Sequence, residues 1–421
     1  MKVLVIGSGG REHAIIWKLS QSRVVDRIYC APGNAGISEI SECIEVESKN
    51  LSTFVDFVKY EWIDLTVVGP EEPLAKGIVD LFLKEGRKII GPTKAGAQIE
   101  GSKVFAKEFM KRYKIPTAKY QVFNSYTYAA EYIRLKGAPI VIKADGLAAG
   151  KGVFIAKTHD EAMDALKLIM KEKVFGPAGD RVVIEECLQG QEVSYLVFTD
   201  GKTIIPMVTS KDHKRLLDND EGPNTGGMGT FSPNPIITPE LEKEILETVI
   251  QPTIMGLRAE GIIYKGILYA GLMIVNGKPY VLEFNCRFGD PETQVILPRL
   301  ETDIIDIFMS ISEQRLSKVN VKWKDEASLC VILASHGYPG TYKKGIPISG
   351  LEMVKRLKDV MVFHSGTGFD EEGKIVTNGG RVLGITALGQ DLKDARNKAY
   401  SAIELIHFDG MQYRKDIGLT V

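Results

Sequence analysis

The run Val281-Leu282-Glu283-Phe284-Asn285-Cys286-Arg287-Phe288-Gly289-Asp290-Pro291-Glu292 concentrates more potential chemistry than any other in the chain. Strand alternation puts Glu283, Asn285 and Arg287 on one face, opposite Leu282, Phe284 and Cys286. Two hard oxygen donors at that spacing suit Mg²⁺ shared with phosphate oxygens. The neighbouring guanidinium suits a carboxylate or a second phosphate. The plainer alternative is a charged edge strand, and the apolar neighbours argue against it. A second stretch, Ile142-Lys143-Ala144-Asp145-Gly146-Leu147-Ala148-Ala149-Gly150-Lys151-Gly152, joins a strand-borne lysine to a glycine loop. It is not a P-loop, because three residues separate Gly146 from Gly150 and Gly152 stands where Ser or Thr is required. Lys143 still offers a fixed charge to a triphosphate, over which the amides of Gly150, Lys151 and Gly152 can fold. A hairpin with a solvated Lys151 is the other possibility. Further along, Val183–Glu192 is an apolar strand ending in carboxylates. The end of such a strand can present backbone groups to a purine edge, with Glu192 set back toward ribose hydroxyls, or these acids are simply solvated.

Two glycine turns near the N-terminus complete the set. Val3–Glu12 gives G-x-G but has Glu12 where the third glycine of a dinucleotide fingerprint would stand, and the next strand ends in Ala31-Pro32-Gly33-Asn34 without the acidic residue that a ribose requires. The amides of Gly9 and Gly10, with Pro32, Gly33 and Asn34, suit a phosphate at a helix N-terminus. A tight turn that needs glycine's backbone freedom remains the alternative. Five scattered cysteines form no CxxC pair and the six histidines no HExxH, so neither a disulfide framework nor a zinc site is indicated, and a reduced, cytoplasmic setting follows. A net charge of -1 argues against a nucleic-acid binder. No stretch approaches a membrane span, and the apolar run after Met1 is too short for a signal peptide.

Periodicity supplies the elements that would hold these residues. Runs at 2–6, 27–31, 65–69 and 88–91 read as buried strands, and 12–19, 51–62 and 78–85 carry apolar residues at helical spacing. Such alternation predicts a doubly wound parallel sheet, with ligand beyond the strands' carboxyl ends. A helix is expected over 102–113, and then strands at 140–143, 181–187, 193–199 and 204–208 that lean antiparallel. Residues 211–235, rich in Gly, Pro and Asn, read as a long functional loop. A helix over 239–260, strands at 268–275, 279–284 and 328–334, and a closing helix over 392–406 complete the chain.

The order of lysine, glycine loop, acidic hinge and E-x-N resembles that of ATP-grasp enzymes. Arg287-Phe288-Gly289-Asp290-Pro291-Glu292-Thr293-Gln294 is similar to the signature octapeptide of the phosphoribosylamine–glycine ligases. Gly7–His13, Pro32–Gly36, Asp212–Arg215, Gly222–Gly229 and Thr377–Arg381 match that family too. The resemblance implies an α/β (α+β) chain in three parts: an N-terminal doubly wound parallel-sheet domain (1–101), a central ATP-grasp domain (102–326) whose mobile lid covers about 120–190, and a small C-terminal α/β domain (327–421). It implies that ATP, glycine and 5-phosphoribosylamine give glycinamide ribonucleotide, ADP and phosphate, through glycyl phosphate, in de novo purine synthesis. By the same analogy Lys103 and Lys143 contact the ATP phosphates, Glu185, Glu186 and Leu188 line the adenine hinge, and Glu192 holds the ribose. Glu283 and Asn285 bind Mg²⁺ or Mn²⁺. Arg287, Asp290, Asp212 and His213 face the reacting glycine, and Gly9, Gly10, Gly33 and Asn34 cradle the phosphoribosyl phosphate. A transient contact with the enzyme that supplies phosphoribosylamine is a further expectation. Another purine-pathway ATP-grasp ligase or carboxylase would share Lys143 and E-x-N, but Thr225–Met228 and Gly289–Glu292 speak against it. Strand 268–275 lacks the extra acidic ligand many ATP-grasp enzymes carry, which leaves the ligands of a second metal open.

Overall fold

Parallel pairing joins the first strands, as their uninterrupted apolar character requires. The order across the sheet is Glu42–Cys43, Arg27–Pro32, Lys2–Gly7, Leu65–Val68, Ile89–Ile90. The structure, a computed structural model, describes residues 1–46, 50–148 and 151–419. Gly150, an expected phosphate-loop residue, lies outside them. Leu4, Ile6 and Tyr29 face one hydrophobic core, while Val3, Val5 and Ile28 face the other. Helices Gly10–Leu19, Leu51–Tyr60 and Ile78–Lys84 cross between the strands. The glycine turns therefore emerge at the sheet's carboxyl edge.

Two antiparallel sheets follow. The first runs Tyr120–Phe123, Val182–Glu186, Ile140–Ala144, Val153–Ala156, and it shares a small core with helices Tyr126–Lys136 and His159–Met170. The second runs Ile204–Pro206, Gln191–Thr199, Gly266–Val275, Lys278–Asn285. Its last pair is out of step by one residue: Glu283 opposes Gly271, but Val281 opposes Leu272. The extra residue, Leu282, is a bulge that resets the alternation. Val281 and Phe284 enter the core, whereas Leu282 lines the same cleft as Glu283 and Asn285, contrary to strict period-two reading.

The helix expected over 239–260 is present as Pro239–Ile245, a π turn at Leu246–Ile250 and Gln251–Ala259. Pro252 cannot donate to the preceding turn, and the π turn directly before it absorbs the mismatch.

Residues 211–235 are not a loop. Lys211–Asp212 pairs with Gly229–Ser232, and Arg215–Leu217 forms a hairpin with Glu221–Asn224. Gly229–Ser232 also pairs with Ala327–Ser335, so it joins the sheet that continues through Arg381–Gly389 to Val360–His364. Phe231 is fully buried there with Leu329 and Val331. Strands of two to four residues show no periodicity, and this one finds its partner far along the chain. Helix Leu392–Ile403 covers the sheet with Ala395, Ala399 and Ile403. Among the described residues no helix is long and apolar enough to cross a membrane.

Candidate active site

A cavity of about 290 Å³ is lined from both antiparallel sheets, and Glu71 and Asp212 line it as well. A comparable cavity of about 320 Å³, lined by Val79, Leu83 and Ile263, is mainly apolar, and its Lys265 already donates to Ser312 O at 2.8 Å. The chemistry is in the former.

At one end Lys143 Nζ stands 3.0 Å from Glu185 Oε1 and donates to Leu282 O at 3.0 Å. Glu185 Oε2 is 3.0 Å from Lys107 Nζ, which also donates to Thr117 Oγ1 at 2.7 Å. Glu185 is thus a buried carboxylate shared by two lysines rather than an open hinge acid, because a charge at that depth must be paired. Burial, with Lys143 beside it, lowers the Lys107 ammonium to about 8 against the pull of Glu185. Lys107 was missed from sequence, although it lies one helical turn after Lys103 and so on the same face of Lys103–Arg112. Lys103 donates to Gly146 O at 3.2 Å. A cation in the first turn opposes the helix dipole, which is tolerable where an anion is to be bound. Glu186, Cys187, Leu188 and Glu192 line the cavity as expected of a nucleoside wall, and so does Gly152 of the glycine loop. Lys151 is exposed.

Glu283 and Asn285 both line the cavity. Burial alone would raise the Glu283 carboxyl, but Lys214, Lys103, Lys143 and Arg287 together hold it below its ordinary value. One carboxylate and one amide oxygen cannot complete six-fold coordination. They fit a hard cation that takes its remaining ligands from phosphate and water. Among the described residues, no group of three or more His, Cys, Asp or Glu could hold a metal by itself.

Arg287 departs from the expectation. Its Nε donates to Glu71 Oε2 at 2.9 Å, Nη2 lies 2.9 Å from Glu100 Oε1 and 3.2 Å from Asn285 Oδ1, and Nη1 donates to Phe288 O at 3.1 Å. The fork expected to face glycine is spent on Glu71 and Glu100, and through Asn285 it orients a metal-type ligand.

His213 is a second correction. Asp212 and Lys214 line the cavity; His213, between them on an extended chain, points the other way. Its Nδ1 is 3.2 Å from Gly229 O and its ring packs on Phe231. Burial, then Arg414, lowers it to about 4. Asp212 Oδ1 is buried without a hydrogen-bond partner, and burial followed by Glu292 raises that carboxyl well above its ordinary value. Glu292, to which the sequence assigned no role, accepts from Tyr269 Oη at 2.6 Å and Ser194 Oγ at 2.9 Å. Asp290 accepts from Gln294 Nε2 at 2.8 Å and pairs with Arg381 at 3.1 Å.

The glycine turns adjoin this end, since a Cβ on Gly9 would sit 3.3 Å from Asp290 Oδ2. Gly9 N is already bonded to Glu12 Oε2 at 2.6 Å. Gly33 has φ +77°, and a Cβ there would lie 2.3 Å from Cys43 Sγ. Asn34, expected to meet a phosphate, instead donates to Ser8 O, His364 O and Ser365 O and accepts from Gly36 N and Ile37 N. Pro32 closes its strand and makes no comparable approach to the cavity.

A lysine-bearing antiparallel sheet facing a strand with E-x-N across a cleft lined by acids and lysines defines an ATP-grasp enzyme, a class that uses ATP with a divalent metal ion. Family models described as phosphoribosylglycinamide synthetase match in three consecutive pieces: the N domain over residues 1–100, the ATP-grasp (A) domain over 101–293 and the C domain over 328–420. The chain belongs to the phosphoribosylglycinamide synthetase family. It is 52% identical over 417 residues to a phosphoribosylamine–glycine ligase of Caldanaerobacter subterraneus, covering 99% of each chain. Its identity to the Escherichia coli (strain K12) phosphoribosylamine–glycine ligase is 50% over 421 residues, covering 99% of this chain and 98% of that one. The crystal structure of phosphoribosylamine–glycine ligase from Thermotoga maritima superposes with a TM-score of 0.86 at 37% identity, covering 99% of this chain and 100% of that one. A biotin carboxylase domain from Hydrogenobacter thermophilus, at 16% identity and a TM-score of 0.74 (98% of this chain, 91% of that one), shares the fold.

Proposed function

We propose that the chain joins glycine to 5-phosphoribosylamine at the expense of ATP, giving glycinamide ribonucleotide, ADP and phosphate in de novo purine synthesis. The observation that carries this reading is the concentration of charge at one point of the cleft: Glu283 and Asn285 stand on one wall, with Lys103 and Lys143 also lining it. Charge stabilisation gathered there favours breaking the bond to the terminal phosphate, where the negative charge of the leaving ADP develops. Mg²⁺ or Mn²⁺, either of which the two hard oxygen donors of Glu283 and Asn285 suit, would when bound supply Lewis-acid stabilisation of that charge.

The chain's own residues do the rest. Lys103 and Lys143, with the 150–152 loop, bind the phosphates, and Lys107 through Glu185 keeps Lys143 in place. Glu186, Leu188 and Glu192 take the adenosine. Lys214 attracts glycine's carboxylate, while the Asp290 carboxylate attracts its ammonium and the unpartnered Asp212 Oδ1 accepts a hydrogen bond from it. The carboxylate attacks the γ-phosphorus to give glycyl phosphate, and the neutral amine of phosphoribosylamine, seated by the Gly9–Gly10 and Gly33 turns, then displaces phosphate. Closure of the 120–190 lid on nucleotide excludes water from the acyl phosphate. The division into 1–101, 102–326 and 327–421, the cytoplasmic location and a transient contact with the enzyme that makes the labile phosphoribosylamine belong to the same proposal. A coupled assay that generates phosphoribosylamine in place and follows ADP tests it. Release must require glycine, and release that is indifferent to glycine refutes the assignment.

A further inference from the structure

Arg381 begins a strand of the C-terminal sheet, yet its guanidinium ends at the cleft. Nη1 donates to Gly226 O at 2.7 Å and to Asp290 O at 2.9 Å, and Nη2 lies 3.1 Å from Asp290 Oδ2. Tyr338, on the turn after strand Ala327–Ser335, accepts from Gly226 N through its Oη at 2.9 Å. Both backbone groups of Gly226 are therefore held by side chains that arrive from the C-terminal sheet. So are the carbonyl and one carboxylate oxygen of Asp290, whose other oxygen is fixed by Gln294.

We infer that Arg381 and Tyr338 are positioning residues for the glycine end of the cleft: they fix the Asn224–Gly226 turn and the Asp290 carboxylate. The segments they hold are cavity wall. Asn224, Thr225, Gly226 and Asp290 line the cavity beside Asp212 and Lys214. The approach is close enough to dictate sequence. A Cβ on Gly226 would lie 3.1 Å from Arg381 Cζ, and one on Gly380 would lie 2.2 Å from Tyr338 Cδ2. A Cβ on Gly366 would meet Gly379 Cα at 2.4 Å. The Thr377–Arg381 run is thereby accounted for: its glycines let the C-terminal sheet approach closely enough for Arg381 to bridge Gly226 and Asp290. A lysine could satisfy one of these acceptors but not all, because its ammonium lacks the planar fork. The paired acid also supports the ionised state of the bridge, since Arg381 is held charged chiefly by Asp290 against burial.

The inference rests on the proposed function in one respect, that glycine occupies this end. Arg381→Lys, Arg381→Ala and Tyr338→Phe are compared with the full-length protein for KM and kcat toward glycine and ATP, ADP affinity by calorimetry, and thermal unfolding. Misplacement of a reacting group by about 1 Å costs roughly 100-fold, so kcat/KM for glycine falls about 100-fold in the Arg381 variants. Loss of one hydrogen bond in Tyr338→Phe costs roughly tenfold. ADP affinity and KM for ATP stay within about twofold, and methylguanidine restores part of the turnover of Arg381→Ala. Tyr338→Phe, which removes one oxygen, keeps the test open should the Arg381 variants not fold. Folded variants with wild-type glycine kinetics, or with ATP and glycine parameters falling together, overturn the inference alone. A wild-type protein without glycine-dependent ADP release overturns the proposed function, and the inference with it.

Discussion

Replacing Arg287 with lysine keeps one positive charge and removes the fork. An ammonium that stays with the buried Glu100 leaves the bonds to Glu71 Oε2, Asn285 Oδ1 and Phe288 O unmade. A hydrogen bond to a charged group is worth about 1.5–3 kcal/mol. Glu71 is 26% exposed and so partly compensated by water, and the lower end of that range applies to each bond. With three bonds lost, the expected loss of stability is therefore about 3–4 kcal/mol, comparable to the 3–5 kcal/mol of a buried pair broken outright. The functional effect runs through Asn285, whose amide loses the partner that aims its oxygen. Removing such an outer partner weakens a metal site by about 10–100-fold. ADP formation titrated with Mg²⁺ at saturating ATP and glycine should show that shift in its midpoint, with turnover largely recovered at high metal and KM for glycine near wild type. Unaltered metal activation combined with a raised KM for glycine would mean that the fork is open to substrate, and that Glu71 and Glu100 do not occupy it in the working enzyme.

Glu283→Gln should lower kcat by about 100–1000-fold, from the several kcal/mol that a metal-bridged charge supplies, with circular dichroism unchanged; near-normal turnover at saturating Mg²⁺ removes Glu283 from the metal site. Lys107→Met leaves Glu185 to Lys143 alone and should raise KM for ATP by about tenfold, the effect of one lost charge–charge term of about 1.4 kcal/mol. In the wild type the Lys107 charge is present below about 8 and lost above it, so KM for ATP climbs on the alkaline side, and Lys107→Arg should abolish that limb; identical alkaline limbs in both proteins would exclude Lys107. His13, His213 and His364 are held by burial at about 3, 4 and 4, below the usual 6.5. The unfolded chain then takes up protons first as pH falls, so stability is complete above about 6.5 and declines toward 4, by up to about 2 kcal/mol per histidine at pH 5. Equal urea midpoints at pH 7.5 and pH 5 would contradict that burial.

The sequence showed the N-terminal sheet because parallel strands buried on both faces are long apolar runs, such as Lys2–Gly7, and the helices between them keep a 3.6-residue period. It showed Glu283 and Asn285 because their spacing survives the bulge, which displaces Leu282 instead. His213 was misplaced by analogy when the alternation of Asp212, His213 and Lys214 already turned it away from its neighbours. Lys107 was open to detection from its spacing to Lys103. No local signal could reveal that Glu71 and Glu100 occupy Arg287, or that Arg381 reaches Gly226 and Asp290, because those partners meet only when separate sheets pack together. The strand Gly229–Ser232 was hidden for the same reason. Its buried Phe231 answers to Leu329 and Val331, and nothing in its own four residues announces a sheet.

The most direct test of an ADP-forming ligase follows the oxygens of glycine. With glycine labelled by oxygen-18 in its carboxylate, ATP, and phosphoribosylamine generated in place, attack of the carboxylate on the γ-phosphorus carries one labelled oxygen into the acyl phosphate and then into the phosphate released. Labelled phosphate, formed in step with unlabelled ADP, is the predicted result. Label recovered in AMP, or unlabelled phosphate at full turnover, would contradict it.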